Sequence, residues 1–525
     1  MRGVRLLVLG VIWIGSFFLV LDRVNISLAA PRIMDELKFD GTQMGFILSI
    51  YYWGYLLGHF GSGLVSDQVR LRSFTSTAPH ALTLTTAAEQ LRTRQLSPVD
   101  LVRSCLERID QLEARVHAWV TVDRDGALAA ARRCEDEIQR GQYRGSLHGI
   151  PIGLKDIFFT AGLKTTAGSP IHADFVPDFD AGAVRRLREA GAIILGKAQT
   201  TEFAALAPSP THNPWNLDHT PGGSSSGSAA AVAAAMCPGA LGSQTYGSTI
   251  RPAAYCGCVG LKPTYGRISA SGIFALAWSL DHVGLFARTV SDVTLLLQSL
   301  AGDDPDDPAC EAVPVPDYTQ ALRDPTPPRL GLVREFFLEK AEDETRKHVE
   351  AVAERFARAG AQIIEVRLPE SFVGEIDAHF AMLQAETAVP HQDSYTQHAA
   401  RYSPQMQDLI EKGRKISATR YIELRRHQQR FRHDMNALCR TVDALLTPST
   451  PAPAPRGLTS TGDPSFNGPA SFSGIPSLGL PSGVSLSGLP FGVQLMSGAF
   501  TEDRLLATAK WCEVVLDFQR VPALI

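Results

Sequence analysis

Three short stretches hold the residues whose types and spacing suit chemistry. The first, Pro221-Gly222-Gly223-Ser224-Ser225-Ser226-Gly227-Ser228, runs into the alanine-rich segment Ala229 to Met236. Small residues at this density let backbone approach closely and place hydroxyl and N–H groups at a helix start. Alone, the stretch is ambiguous between a flexible Gly/Ser linker and a functional loop. Helix and strand patterns on both sides weigh against the linker, and the Gly-Lys-Ser/Thr ending of a phosphate-binding loop is absent. The second stretch is Gly242-Ser243-Gln244-Thr245-Tyr246-Gly247-Ser248-Thr249-Ile250-Arg251-Pro252-Ala253-Ala254. The third, Gly149-Ile150-Pro151-Ile152-Gly153-Leu154-Lys155-Asp156, sets a lysine straight after an apolar strand, where most lysines still reach water.

Taken together these blocks resemble the amidase signature family. Lys155 and Ser224 are 69 residues apart and Ser224 and Ser248 are 24 apart, close to the family spacing. Gly191-Ala192-Ile193-Ile194-Leu195-Gly196-Lys197, Asn213-Pro214-Trp215-Asn216, Gly260-Leu261-Lys262-Pro263-Thr264-Tyr265-Gly266-Arg267 and Gly488-Leu489-Pro490-Phe491-Gly492-Val493-Gln494-Leu495 match as well, in order. The resemblance spans roughly residues 80–520.

It implies hydrolysis of a carboxamide C–N bond to a carboxylate plus ammonia or amine, with Ser248 as nucleophile and Lys155 and Ser224 handling the proton. A serine hydroxyl attacks an amide only if a base takes its proton. None of the fourteen histidines lies in these blocks, so a Ser-His-Asp arrangement has no support. A lysine serves only when neutral, which requires burial to lower its pKa by about 2–3 units. In the family the serine matching Ser224 sits on a cis peptide bond, Ser225 matches a supporting hydroxyl, and the backbone N–H groups of Thr245, Tyr246, Gly247 and Ser248 match the oxyanion hole. No metal or cofactor is implied. Two positions depart from the pattern: Tyr246 and Ser226 stand where glycine is usual. Tyr246 is either strained at positive φ or turned so that its ring lines the acyl pocket, and the second reading is favoured. Arg251 reads as a structural anchor, and Cys256 and Cys258 as packing residues.

The elements that must position these residues read as soluble α/β. Ser97-Pro98-Val99-Asp100 carries an N-cap, a first-turn proline and a capping acid, followed by apolar residues at helical spacing for about four turns. Ala181 to Ala190 is helical and stops at Gly191 before the strand Ala192 to Leu195. The strand Leu330 to Val333, the helix Glu342 to Ala359 and the strand Gln362 to Val366 follow, so the fold class is α/β, with a parallel or mixed central sheet covered by helices on both faces. Residues 370–435 read as a helical, polar insertion at the pocket mouth. Asp304 to Asp324 and Thr447 to Gly468 read as loops within one domain.

The charge balance, 50 basic against 54 acidic residues in 525, offers nothing to nucleic acid. Eight scattered cysteines form neither a zinc pattern nor a disulfide framework, which suits a reducing cytoplasm. The first seventy residues differ from the rest. Val4 to Leu21 and Met44 to Val65 are apolar runs near the length of a spanning helix. Asp22-Arg23-Val24-Asn25, Tyr51-Tyr52-Trp53-Gly54-Tyr55 and Gly63-Leu64-Val65-Ser66-Asp67 resemble the start of a major facilitator superfamily transporter. The expected organisation is therefore a two-helix transmembrane segment over 1–72, the product of a gene fusion or deletion, and a catalytic domain over 80–525. That places a cytoplasmic hydrolase on the inner membrane, acting on a small-molecule amide, with a homodimer as a candidate assembly. Two rivals stand: the glutaminase subunit of a tRNA-dependent glutamyl/aspartyl amidotransferase, and an inactive fusion product acting as a binding or scaffold protein. Gly260 to Arg267 and Ser279-Leu280-Asp281 fit the first rival, whereas Thr200-Thr201-Glu202-Phe203-Ala204-Ala205-Leu206 departs from it.

Overall fold

Ser97 starts the first long helix as its sequence demands: its side chain accepts from the N–H groups of Val99 and Asp100, Pro98 fills the first turn, and the helix runs Pro98–Val116. At 19 residues it is about a turn longer than the apolar periodicity indicates. A shorter helix, Leu84–Arg92, precedes it. The computed structural model describes residues 78–522 and residue 524 of the chain. The two-helix segment expected over residues 1–72 lies outside them. Among the described residues no helix is long and apolar enough to cross a membrane.

Eleven strands form one sheet. In chain order they are β1 (Trp119–Val122), β2 (Pro151–Lys155), β3 (Ile193–Ala198), β4 (Gly239–Gln244), β5 (Val259–Lys262), β6 (His282–Ala287), β7 (Arg329–Val333), β8 (Gln362–Val366), β9 (Ala444–Pro448), β10 (Ser477–Val484) and β11 (Pro490–Met496). The spatial order is β1-β3-β2-β4-β6-β5-β10-β11-β9-β7-β8. β2 pairs parallel with β3 and β4, and β7 pairs parallel with β8 and β9. The centre, β4-β6-β5-β10-β11-β9, is antiparallel, so the sheet is mixed. Strand-helix alternation in the sequence marks the parallel pairs; the β10–β11 hairpin carries no such alternation and shows in the sequence only as a matching block.

Helices cover both faces, as β4 makes plain. A side chain at Gly239 would face Leu296 and Leu84, whereas one at Gly242 would face Ser225. An odd spacing along a strand means opposite faces, so the helices Val290–Leu300 and Ser226–Ala233 lie on opposite sides. The expected stop at Gly191 is present, with φ +78° after the helix Gly182–Glu189. The stretch 370–435 is helical, as expected, in the pieces Glu375–Thr387, Gln392–His398, Pro404–Gly413 and Ala418–Cys439.

The position of the helix Ser226–Ala233 depends on one missing side chain. A Cβ on Gly227 would lie 2.2 Å from the carbonyl oxygen of Ala118 and 2.4 Å from the backbone nitrogen of Gln199, both rigid backbone. The Gly227 N–H instead donates to the Gln199 carbonyl at 3.0 Å. Gly227→Ala is expected to push this helix off the sheet and destabilise the protein by about 1–3 kcal/mol. Thermal unfolding checks it: an unchanged midpoint would show that the close approach is not needed.

Candidate active site

Lys155 ends β2 rather than following it, and its neighbours on both sides are parallel strands. The side chain is fully buried. Its Nζ lies 2.7 Å from Ser224 Oγ and 2.7 Å from Ser243 Oγ. Burial pulls the lysine down to about 7, against a weaker upward pull from the Asp281 carboxylate. Two other lysines are buried but differently engaged. Lys262 donates to the carbonyls of Pro263 and Ile475, and Lys197 to the Phe158 carbonyl and the Thr160 and Thr165 hydroxyls. A carbonyl only accepts, whereas a hydroxyl both gives and takes a proton. Of these three buried lysines Lys155 alone touches hydroxyls and no carbonyl, contacts through which a proton can move in either direction.

Ser224 sits just before the helix Ser226–Ala233, and its peptide bond to Gly223 is cis. Ser225 is occupied otherwise. Its hydroxyl donates to the Ser243 carbonyl at 3.1 Å and accepts from the Ser243 N–H at 3.2 Å, so it pins the Gly/Ser loop to β4. Ser226, at the unusual position, ties the same loop to itself through the Gly222 carbonyl at 2.8 Å. Arg251 is an anchor, as its sequence context indicates: Nη2 donates to the Gly223 carbonyl at 2.7 Å and to Thr461 Oγ1, and Nη1 to the Gly462 carbonyl at 2.8 Å. Cys256 and Cys258 are buried free thiols, and burial pushes both upward.

The loop after β4 carries Thr245, Tyr246, Gly247 and Ser248. Gln244 shapes it: its Oε1 accepts from the N–H groups of Thr249 and Ile250 and so starts the helix Ile250–Cys256 without a cap from Thr249. Thr245 is held by Asp281, which accepts its hydroxyl at 2.5 Å and the N–H groups of Leu276 and Ala277 on its other oxygen. Burial raises Asp281 to about 6 against the pull of these hydrogen bonds. Among the described residues, the backbone N–H groups of Thr245, Tyr246, Gly247 and Ser248 meet no protein acceptor. Ser248 is 7% exposed, the most open of the three chemistry-bearing residues, and its hydroxyl makes no hydrogen bond to Ser224. Tyr246 does not adopt positive φ, so its backbone is unstrained there; its ring meets His379 edge-on at 4.3 Å. Among the described residues no cluster of acidic, histidine or cysteine side chains could hold a metal ion.

Sequence reasoning missed Ser243, although it lies in a block already singled out, and it gave Asp281 no role. It also missed His379, which reaches the loop from a helix far along the chain. Replacing Arg251 by methionine would leave the Gly223 and Gly462 carbonyls without their donor. Arg251→Met is expected to cost about 1.5–3 kcal/mol, read as a lowered midpoint of thermal unfolding.

Comparison with known proteins shows the family. The chain is 36% identical over 466 residues to a glutamyl-tRNA(Gln) amidotransferase subunit of Geobacter metallireducens, covering 82% of this chain and 96% of that one. It is 38% identical over 460 residues to the Mycobacterium tuberculosis protein named "Putative amidase AmiD", covering 84% and 95%. Among solved structures, the peptide amidase of Stenotrophomonas maltophilia superposes with a TM-score of 0.75 at 31% identity, over 85% of this chain and 100% of that one. A 6-aminohexanoate cyclic dimer hydrolase superposes at 0.76 with 25% identity and the same coverage. The amidase family match spans residues 100–506, so the transporter resemblance of residues 1–70 lies outside it and gains no support from it. By this match and these relatives the chain belongs to the amidase family, and it is an amidohydrolase acting on C–N amide bonds.

Proposed function

We propose that the chain hydrolyses a linear amide through an acyl-enzyme on Ser248, with Ser224 and Lys155 completing the triad. The observation that carries this reading is the buried lysine whose Nζ contacts only hydroxyls, at 2.7 Å each, and which burial brings to about 7. Near neutral pH such an amine has a lone pair to offer. Ser248 Oγ attacks the carbonyl carbon, a C–O bond forms, and the Ser248 proton passes to Ser224 while the Ser224 proton passes to Lys155. The charge that appears on the former carbonyl oxygen is met by the free N–H groups of residues 245–248. Collapse breaks the C–N bond, and the proton returns through Ser224 to the leaving nitrogen. Water then releases the acyl group by the same route in reverse, with Lys155 taking its proton through Ser224. Ser225 and Ser243 hold the relay in place, the first through backbone and the second at Nζ. Tyr246, half-buried in this loop, narrows the acyl side of the site.

A second reading, the glutaminase subunit of a tRNA-dependent amidotransferase, is favoured by the 36% identity to such a protein. Against it stands the departure at Thr200 to Leu206. Placement of the hydrolase on the cytoplasmic side of a membrane rests on the two apolar runs before residue 70, the arginines that flank them (Arg2, Arg5, Arg70 and Arg72) and their resemblance to a transporter start.

Ser248→Ala is expected to lower kcat about a thousandfold or more with the fold intact, and a sulfonyl fluoride should label Ser248. An adduct on another serine, with Ser248→Ala still active, would overturn the assignment. Because the lysine must be neutral, kcat/KM should rise with pH through about 7 and level off above it. A flat profile down to about pH 5, where a lysine of this kind is charged, would point to another base. A panel of aliphatic, aryl and amino-acid amides, with free glutamine included, separates the two readings: ammonia from glutamine alone favours the amidotransferase.

A further inference from the structure

The nucleophile loop is gripped by side chains that no motif contains. His379 and Glu375 lie one turn apart on the helix Glu375–Thr387, and both are fully buried. His379 Nε2 is 3.0 Å from the Thr245 carbonyl oxygen, and Nδ1 is 3.4 Å from Glu375 Oε1. A carbonyl oxygen can only accept, so Nε2 carries a hydrogen. Glu375, facing Nδ1 from one turn away, fixes the ring so that Nε2 points at the Thr245 carbonyl. On the next peptide, Ser471 Oγ accepts from Gln244 Nε2 at 3.0 Å and gives its one hydrogen to the Tyr246 carbonyl at 2.8 Å, nearer than the Asn467 carbonyl at 3.4 Å. Phe472, beside Ser471, stacks on the His379 ring at 5.3 Å.

These contacts have a chemical consequence. The Thr245 carbonyl and the Tyr246 N–H belong to one peptide unit, and the Tyr246 carbonyl and the Gly247 N–H to the next. A donor on the carbonyl fixes the plane of its unit, hence the direction of the N–H at the other end, and polarises that N–H. We propose that His379, held by Glu375, and Ser471 are positioning residues that aim the Tyr246 and Gly247 N–H groups at the oxygen of the tetrahedral intermediate. The inference rests on the assignment of Ser248 as nucleophile and of this loop as oxyanion hole.

The test uses the full-length chain and the best-cleaved anilide of the amide panel, with the variants His379→Phe, His379→Gln and Ser471→Ala. His379→Phe keeps a ring but loses the donor, and kcat should fall about 10–100-fold with KM within about twofold. The acidic limb near pH 7 should not move, since Lys155 is untouched. His379→Gln, whose amide N–H can replace Nε2–H, should recover most of the rate. Ser471→Ala should lower kcat about tenfold, again without a change in KM. The inference is overturned if kcat of His379→Phe stays within twofold of the parent, if the loss falls on KM, or if Gln serves no better than Phe. Should His379→Phe not fold, the small change Ser471→Ala decides, and an unaltered kcat overturns the proposal. An inactive Ser248→Ala beside a fully active His379→Phe overturns this inference alone, whereas an active Ser248→Ala overturns the reading beneath it.

Discussion

A lysine without water is the constraint on which the other features depend. An ammonium group in an apolar interior is costly, and Lys155 escapes that cost by giving up its proton near neutrality. This works only while its surroundings stay dry and uncharged. β2 must be flanked on both edges, which β3 and β4 do. The helix carrying Ser224 must press against the sheet, which the bare Gly227 permits. Asp281, whose charge acts on Lys155, must not become a close ion-pair partner, and its oxygens are occupied by Thr245, Leu276 and Ala277. Each of these arrangements protects the same neutral amine.

The three chemistry-bearing side chains come from segments far apart in the chain, yet each segment is short and rigid. Lys155 ends a central strand, Ser224 precedes a helix start, and Ser248 lies four residues past β4. The two serine segments meet because Ser225 bonds to the Ser243 backbone in both directions. The loop between Gly222 and Ser226 is therefore as well defined as a strand, despite a composition that reads as flexible. Hydrogen bonds to backbone, rather than bulky packing, hold it.

Local signals were readable from the sequence where a residue acts on its near neighbours. The Ser97 cap, the Gly191 stop and the apolar run before Lys155 all describe interactions within a few positions, and the structure places each within a residue or two. The contacts that complete the site are of another kind. Ser243 reaches Lys155 across 88 residues, Asp281 reaches Thr245 across 36, and His379 reaches Thr245 across 134. No periodicity or spacing encodes such meetings, and His379 lies within residues 370–435, a stretch whose overall composition reads as a polar insertion. The strain expected as one alternative at Tyr246 is absent because its φ is not positive; the left-handed non-glycine residues nearest in the chain are Ala235 and the pair Phe203 and Ala204.

Arg251 ties two distant loops to one guanidinium. The same cation holds the Gly223 carbonyl, one bond from Ser224, and the backbone and hydroxyl of Thr461 and Gly462 on an outer loop. Outer loops are the parts an engineer exchanges first when new substrates are wanted. Here a graft that replaces Thr461 and Gly462 would strip Arg251 of its outer partners, directly behind the proposed proton relay, and Ser224 would inherit the disturbance. Libraries on this scaffold are better confined to loop positions that leave this pair intact, so that selectivity can change while the relay keeps its geometry.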